Sequence, residues 1–505
     1  MMRSRTVQGL TGTLFWILFA ALIAANALVM WHSLTVLRFW EDEAFNLTVP
    51  RNLLAGLGYT SDGTLSGSTL TPFDPRISTG PVVLLPVAAL LATGIDPVIG
   101  ARLVPLAYWV LLLVGVGVIG RRLAGRFGAL IAVALPLAFD TAGSVSPIQG
   151  PADLLGEIPA AALIVWALVV LPRRAWPAGL LLGLAVQAKL IALLALPAFA
   201  VALFLLTPPG PFRARVVATL RRGILPLVLV AAPTVLVELA ALVSLGPSGY
   251  VEHLRGLVGF VRSGGQHYQP TTVPEKLSTL AGAWFVPGWL VALAVVLAAA
   301  VVVLAALPWR DRDPQLLALG FGSAVGLLAF VGWWAQAAQL PLWVRHPAVG
   351  VFAFAPILAA LAVRAAGALW RRYGPQEAAG RSDGRPALTI PVRAVAVVSA
   401  AVLTVVVAGG ALGDAARTLR PPNTQTLAEQ RAAAAPIAAW VRQNGVDWLA
   451  AQPWGPPVSY VVLSGAHAGL FDAPAMRNTR ILILGPCPGG SPLATSPGIS
   501  VCPAP

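Results

Sequence analysis

Pro81-Val82-Val83-Leu84-Leu85-Pro86-Val87-Ala88-Ala89-Leu90-Leu91-Ala92-Thr93 carries no charge and is thirteen residues long. A helix needs about 20 residues to cross the ~30 Å hydrocarbon core of a bilayer, so this segment reads as one laid on the membrane surface. That placing decides the topology. If the segment crossed, every later crossing would reverse and Arg121, Arg122 and Arg126 would change sides.

The chain around it belongs in lipid. Of 505 residues 57% are hydrophobic and 11% charged, with a mean hydropathy of +0.79; soluble domains carry about a quarter charged residues. The first apolar run, Gly9 to Trp31, follows Arg3 and Arg5 and reads as an uncleaved anchor that starts inside, although Ala25-Asn26-Ala27 has the small-x-small form of a peptidase site. Further runs lie at 99–120, 127–143, 157–171, 178–188, 190–206, 223–245, 285–307, 315–334, 347–368 and 393–413. The expectation is an all-α polytopic membrane protein of about eleven transmembrane helices, multi-pass in the plasma membrane. Its amino terminus is expected in the cytoplasm and its carboxyl terminus outside.

Charge supports this reading. On this topology the inner loops hold nineteen of the 34 Lys and Arg but four of the 20 acids, namely Asp311, Asp313, Glu377 and Asp383. The basic balance of +14 is therefore the positive-inside bias of a membrane protein, and it does not indicate a nucleic-acid partner. Low Lys with abundant Ala, Gly, Pro and Arg fits a GC-rich bacterial genome.

Two domains are expected: a transmembrane module over 1–413, with a juxtamembrane outer loop at 32–98, and a small extracytoplasmic α/β domain over 414–505. The inner loop 369–392 reads as a linker. In the tail, 427–444 has helical apolar spacing, while Trp448–Ala451, Tyr460–Leu463 and Ile481–Leu484 read as short strands. The only cysteines, Cys487 and Cys502, close this tail, and an oxidising compartment favours a bond between them.

The acids cluster on the outer side. Glu41-Asp42-Glu43 follows the first span, ahead of an amphipathic stretch with Phe45, Val49, Leu53 and Leu54 apolar and Asn46, Arg51 and Asn52 polar. Asp140, Asp153 and Glu157 face the same side from the next outer loop. Two carboxylate sites near lipid head groups suit proton abstraction from an acceptor.

Asp42-Glu43-Ala44 with Arg51-Asn52-Leu53-Leu54-Ala55-Gly56-Leu57-Gly58-Tyr59, and more loosely Ala101-Arg102-Leu103-Val104-Pro105 through Gly120-Arg121-Arg122-Leu123, resembles the GT-C class of membrane glycosyltransferases. The closer likeness is to the protein mannosyltransferase and aminoarabinose-transferase relatives. The resemblance covers the layout of roughly residues 1–370. It implies a glycosyltransferase that moves a sugar from a polyprenyl-phosphate donor to an extracytoplasmic glycan, lipid or protein acceptor with inversion. By residue it implies Asp42 as the catalytic acid, with Glu43 its neighbour. Glu41, Asp140, Asp153, Glu157, Lys189, Arg345 and His346 form the expected substrate-binding set, in which Arg345 and Lys189 meet the leaving phosphate. Which of Asp140, Asp153 and Glu157 matches the family position stays open.

The sequence departs from the pattern at Pro50, which implies a short or restarting helix after the acidic triplet, and at Phe73-Asp74-Pro75-Arg76 and Thr79-Gly80-Pro81. Glu238, inside the run 223–245, reads as a neutral or paired core carboxyl near its outer end. His253, His267, Tyr268, Glu252 and Arg255 read as a solvated loop, and His32 and His467 as isolated structural residues. No structural-zinc spacing and no phosphate-loop motif occurs, so no cofactor is expected; mannosyltransferase relatives imply no obligatory metal, whereas oligosaccharide-transferring members of the class use one. A transporter of lipid-linked substrates is the alternative reading, disfavoured because its charged sites belong near the bilayer midplane. A non-catalytic membrane module would leave Asp42 and Glu43 dispensable.

Overall fold

The computed structural model describes residues 2–142, 147–263, 269–306, 313–373, 389–421, 424–488 and 490–504. His267, Tyr268, Asp311, Glu377, Asp383 and most of the linker expected at 369–392 lie outside these.

Helix α1 (Met2–Thr35) leads into α2 (Glu41–Leu54), a small hairpin of β1 (Thr60–Ser61) and β2 (Thr71–Pro72), and α3 (Pro81–Leu91). There follow α4 (Pro97–Ala138), α5 (Glu157–Val170), α6 (Ala175–Ala188), a 3-10 turn (Leu190–Ala195) running into α7 (Leu196–Leu205), α8 (Phe212–Ser263) and α9 (Val273–Gly282). The bundle closes with α10 (Gly288–Ala306), α11 (Pro314–Gln336), α12 (Arg345–Tyr373) and α13 (Thr389–Thr418).

Seven of these helices are long and apolar enough to cross a membrane. One of them, α4, is two helices: Gly125 takes φ 69° and the chain doubles back, so that Gly120 faces Gly128 and Gly117 faces Val133. With α4 counted twice and the shorter apolar helices α5, α6 and α7 added, the described residues offer eleven candidate spans. Contacts fix their directions. Gly179 meets Pro226, Gly183 meets Val230 and Gln187 bonds Thr234, so α6 and α8 run parallel and α7 returns between them. Gly326 packs on Phe354 and Gly350 on Phe330, so α11 and α12 run antiparallel. Helix α5 lies at the centre, buried on all sides apart from Trp166 and its last residue, as a helix that is apolar all round should be.

At its expected place, α3 is an eleven-residue helix of about 16 Å. Val83, Leu84, Val87 and Ala88 are buried against its neighbours, and Leu85 is exposed. The chain thus forms a multi-pass membrane protein with one end built from α2, α3 and the longer loops.

Two local expectations are corrected. Helix α2 does not stop at Pro50 but runs through it to Leu54, and it is not a surface amphipath: every residue from Glu43 to Pro50 is buried. A proline inside a helix costs about 3 kcal/mol, and burial on all sides of this helix outweighs that. Tyr460–Leu463 is not a strand. It lies in helix α15 (Pro456–Ser464), which begins on Pro456-Pro457, where missing N–H groups cost nothing, and ends at Gly465 in the left-handed conformation.

The rest of the tail is the α/β unit expected. Helix α14 (Leu427–Gln443) starts at a Thr426/Glu429 capping box. The sheet order is β4 (His467–Leu470), β3 (Trp448–Gln452), β5 (Ile481–Leu484), β7 (Ile499–Cys502), β6 (Ala494–Ser496), with β3 parallel to β4 and β5 and β7 antiparallel to β5 and β6. Cys487 and Cys502 are bonded.

The tail docks on the segment that follows α1. Arg51 donates to the carbonyls of Val462 and Gly465 at the end of α15, both at 2.9 Å. Asp62, buried, meets His467 Nδ1 and accepts from the Ala468 N–H, each at 2.8 Å. Gln430 exchanges two hydrogen bonds with the Phe39 backbone. His467 is therefore not isolated; it pairs with an acid some 400 residues away in sequence.

Candidate active site at one end of the helix bundle

The acidic triplet opens α2, and successive helical residues point about 100° apart. Each acid accordingly meets a different partner. Glu41 pairs with Arg38 at 3.3 Å near the surface. Asp42 Oδ2 accepts from Arg345 Nη1 at 2.5 Å, with about a quarter of the Asp42 side chain exposed. Glu43 is buried outright in a two-pronged pair with Arg102, Nε to Oε1 at 3.0 Å and Nη2 to Oε2 at 2.7 Å.

Arg102 is the anchor of this corner. It is wholly buried, and beyond Glu43 its guanidinium donates to the carbonyls of Ser33, Leu34, Leu37 and Arg38, which holds the end of α1. Both members of this pair are committed to each other. Glu43 Oε1 also accepts from the Leu154 N–H at 3.3 Å, which ties the loop before α5 to α2. In that loop Asp153 is buried; one carboxylate oxygen accepts from the Gln149 N–H, and the other has no partner. Burial, with the Glu43 charge beside it, holds the Asp153 carboxyl well above the usual range.

Arg345 starts α12, its guanidinium flanked by the Trp343 ring at 4.9 Å and the Trp40 ring at 6.0 Å. His346 also stacks on Trp343, at 5.6 Å, and its Nε2 is buried without a partner. Arg345 and Lys189 both bear electrostatically on Glu157.

Lys189 occupies the break between α6 and the 3-10 turn. It pairs with Glu157 at 2.9 Å and donates to Ser78 Oγ at 2.8 Å. Two glycines permit this arrangement by letting backbone approach backbone: a Cβ on Gly80 would stand 1.9 Å from the Gln187 carbonyl oxygen, and one on Gly156 2.0 Å from that of Ala188. Glu157 Oε2 is buried and unpartnered. Lys276, the other lysine of the chain, donates to the carbonyls of Trp334 and Ala337 just ahead of Arg345.

Of the expected residues, Asp42, Glu157, Lys189, Arg345 and His346 thus gather at one place, with Glu43 and Asp153 packed behind Asp42. Asp140 takes its partner elsewhere: Arg417, at 2.9 Å, bridges it to Asp414. Sequence reading missed Arg102, Ser78, Trp40 and Trp343. A charge inside the run 99–120 was the available signal for Arg102, since such a charge is costly unless paired. Among the described residues, no three or more His, Cys, Asp or Glu side chains stand close enough to hold a metal ion.

The arrangement pairs two cations with two carboxylates, one cation at a helix start and one at a helix break. An incoming oxyanion would compete with Asp42 for Arg345 and with Glu157 for Lys189.

No protein-family model and no curated protein matches the chain. Solved structures do. The crystal structure of ArnT from Cupriavidus metallidurans bound to undecaprenyl phosphate matches with a TM-score of 0.58 at 14% identity, over 96% of this chain and 97% of that one. The same protein in the apo state matches with 0.57 at 14% identity, over 98% of each. At this identity the likeness shows the fold, which is the GT-C-like membrane fold expected from the sequence.

Proposed function

We propose that the chain is a membrane glycosyltransferase that takes a sugar from a polyprenyl-phosphate donor and passes it, with inversion, to a glycan, lipid or protein acceptor. The observation that carries this is the Asp42–Arg345 pair beside the Lys189–Glu157 pair at one end of the bundle. The ArnT fold supports it, and so does the undecaprenyl phosphate bound to that neighbour.

In this reading donor phosphate draws Arg345 and Lys189 away from their carboxylates. Asp42, released, accepts the proton of the acceptor nucleophile. The nucleophile attacks the anomeric carbon while the bond from that carbon to the phosphate oxygen breaks, and the two cations stabilise the departing lipid phosphate. Glu43, through Arg102, orients the first turn of α2 and so aims Asp42. Glu41, next to Asp42, is assigned to the acceptor; Asp140, paired with Arg417 away from these residues, would contact it only through a long acceptor. The site end, with the tail domain over 414–505, faces the extracytoplasmic side, and the Arg-rich end faces the cytoplasm.

Binding of undecaprenyl phosphate to the purified protein tests the phosphate assignment. A charge-assisted hydrogen bond is worth about 1.5–3 kcal/mol, so Arg345→Ala and Lys189→Ala should each weaken binding by about tenfold or more. Equal affinity of wild type and both variants would overturn it.

A further inference from the structure

Helix α8 breaks at Gly246, where φ is 67°, and Pro247 starts an arm, 247–263, that turns back on its own stem. His253 Nε2 stands 3.5 Å from Glu238 Oε2, and Tyr250, beside Glu238, stacks on the His253 ring at 6.0 Å. Glu238 is thus paired, one of the two readings expected of it, and His253 latches the arm to the stem instead of lying in a solvated loop. Farther along, Gly256 abuts Pro75, and Phe260 lies beneath the Arg76 guanidinium at 5.6 Å.

The inward contacts fall on 250, 253, 256 and 260, one face of a helix. One residue on, Val251, Leu254, Val258 and Val261 repeat at helical spacing and are 44%, 37%, 48% and 57% exposed. One residue further stand Glu252, Arg255 and Arg262, all exposed. The arm thus has an inward stripe, an apolar stripe and a charged stripe, the pattern of a helix seated at a lipid–water boundary. The apolar stripe continues the lipid face of the stem, where Leu236, Leu239 and Val243 are 67%, 51% and 85% exposed.

We infer that the arm 247–263 is an interfacial membrane element whose Val251, Leu254, Val258 and Val261 stripe is covered by lipid of the leaflet at the site end. The Glu238–His253–Tyr250 latch holds it in that pose. The inference does not depend on the reaction.

Full-length protein in phosphatidylglycerol/phosphatidylethanolamine vesicles, labelled with an environment-sensitive fluorophore at Val258→Cys, Glu252→Cys or Val243→Cys, tests it. The native cysteines are bonded to each other and leave the label to the introduced site. Lipid-borne nitroxide should quench Val258 as it quenches Val243, aqueous iodide should quench Glu252, and Glu238→Ala should cut the lipid quenching at Val258 by about twofold or more. Iodide quenching at Val258 equal to that at Glu252, or shielding of Val258 from both quenchers as by a protein partner, would overturn the lipid assignment. An unchanged Val258 signal in Glu238→Ala would overturn the latch.

Discussion

Asp42 and Glu43 are neighbours in sequence and opposites in setting: one partly exposed against Arg345, the other sealed against Arg102. Nothing in the string of letters separates them, because Arg102 and Arg345 arrive from 59 and 303 residues away. Removing one partner of a buried pair leaves the other charge uncompensated, at a cost of about 3–5 kcal/mol. Arg102→Met should therefore destabilise by about that amount, lost in part to the freed end of α1; a melting temperature equal to wild type would contradict the anchor role. Asp153 supplies a pH test. Its folded pKa is raised by burial and by Glu43, so the fold favours the protonated form. That contribution is present in acid and is lost as pH rises through the raised value. Asp153→Asn cannot ionise, so its melting temperature should gain on wild type as pH rises from about 5 to 9. Two curves that stay parallel would refute the neutral carboxyl.

At the scale of elements, apolar runs and their lengths were legible, because a crossing helix announces itself by composition alone. The breaks were legible only where glycine or charge interrupts a run, as at Gly125, Lys189 and Gly246. What failed were the short pieces whose state depends on surroundings: α2 through Pro50, and Tyr460–Leu463, whose β-rich letters sit in a helix that proline and glycine delimit. The break at Lys189 depends on close backbone approach, which no periodicity reveals. Gly156→Ala would place a methyl 2.0 Å from the Ala188 carbonyl oxygen, one residue from Lys189. It should reduce transfer by about tenfold or more, since a 1 Å misplacement of a positioning group can cost about 100-fold, while circular dichroism stays that of wild type. Undiminished transfer would show that the break does not position the lysine.

For the whole molecule, the expected one-sidedness is mainly one of acids, since the inner loops would hold four of the 20 acids but nineteen of the 34 Lys and Arg, and it rests on laying 81–93 along the surface. A helix, α3, forms over Pro81–Leu91, with Val83, Leu84, Val87 and Ala88 buried. The docking of the tail was not readable: Arg51 with Val462 and Asp62 with His467 join residues some 400 apart, through carbonyls and side chains that carry no motif. The stretch 51–59, which underlies the resemblance to the glycosyltransferases, thus serves in part to hold the tail, through Arg51. In the proposed reaction Asp42 accepts the proton of the acceptor during sugar transfer. Purified wild type and Asp42→Asn, given a polyprenyl-phosphate sugar and candidate acceptors in vesicles, measure it directly. A general base contributes about 10²–10⁴-fold, so the variant, with Arg345 freed, should bind donor at least as tightly as wild type and transfer sugar at least about 100-fold more slowly; transfer at the wild-type rate would exclude Asp42 as the base.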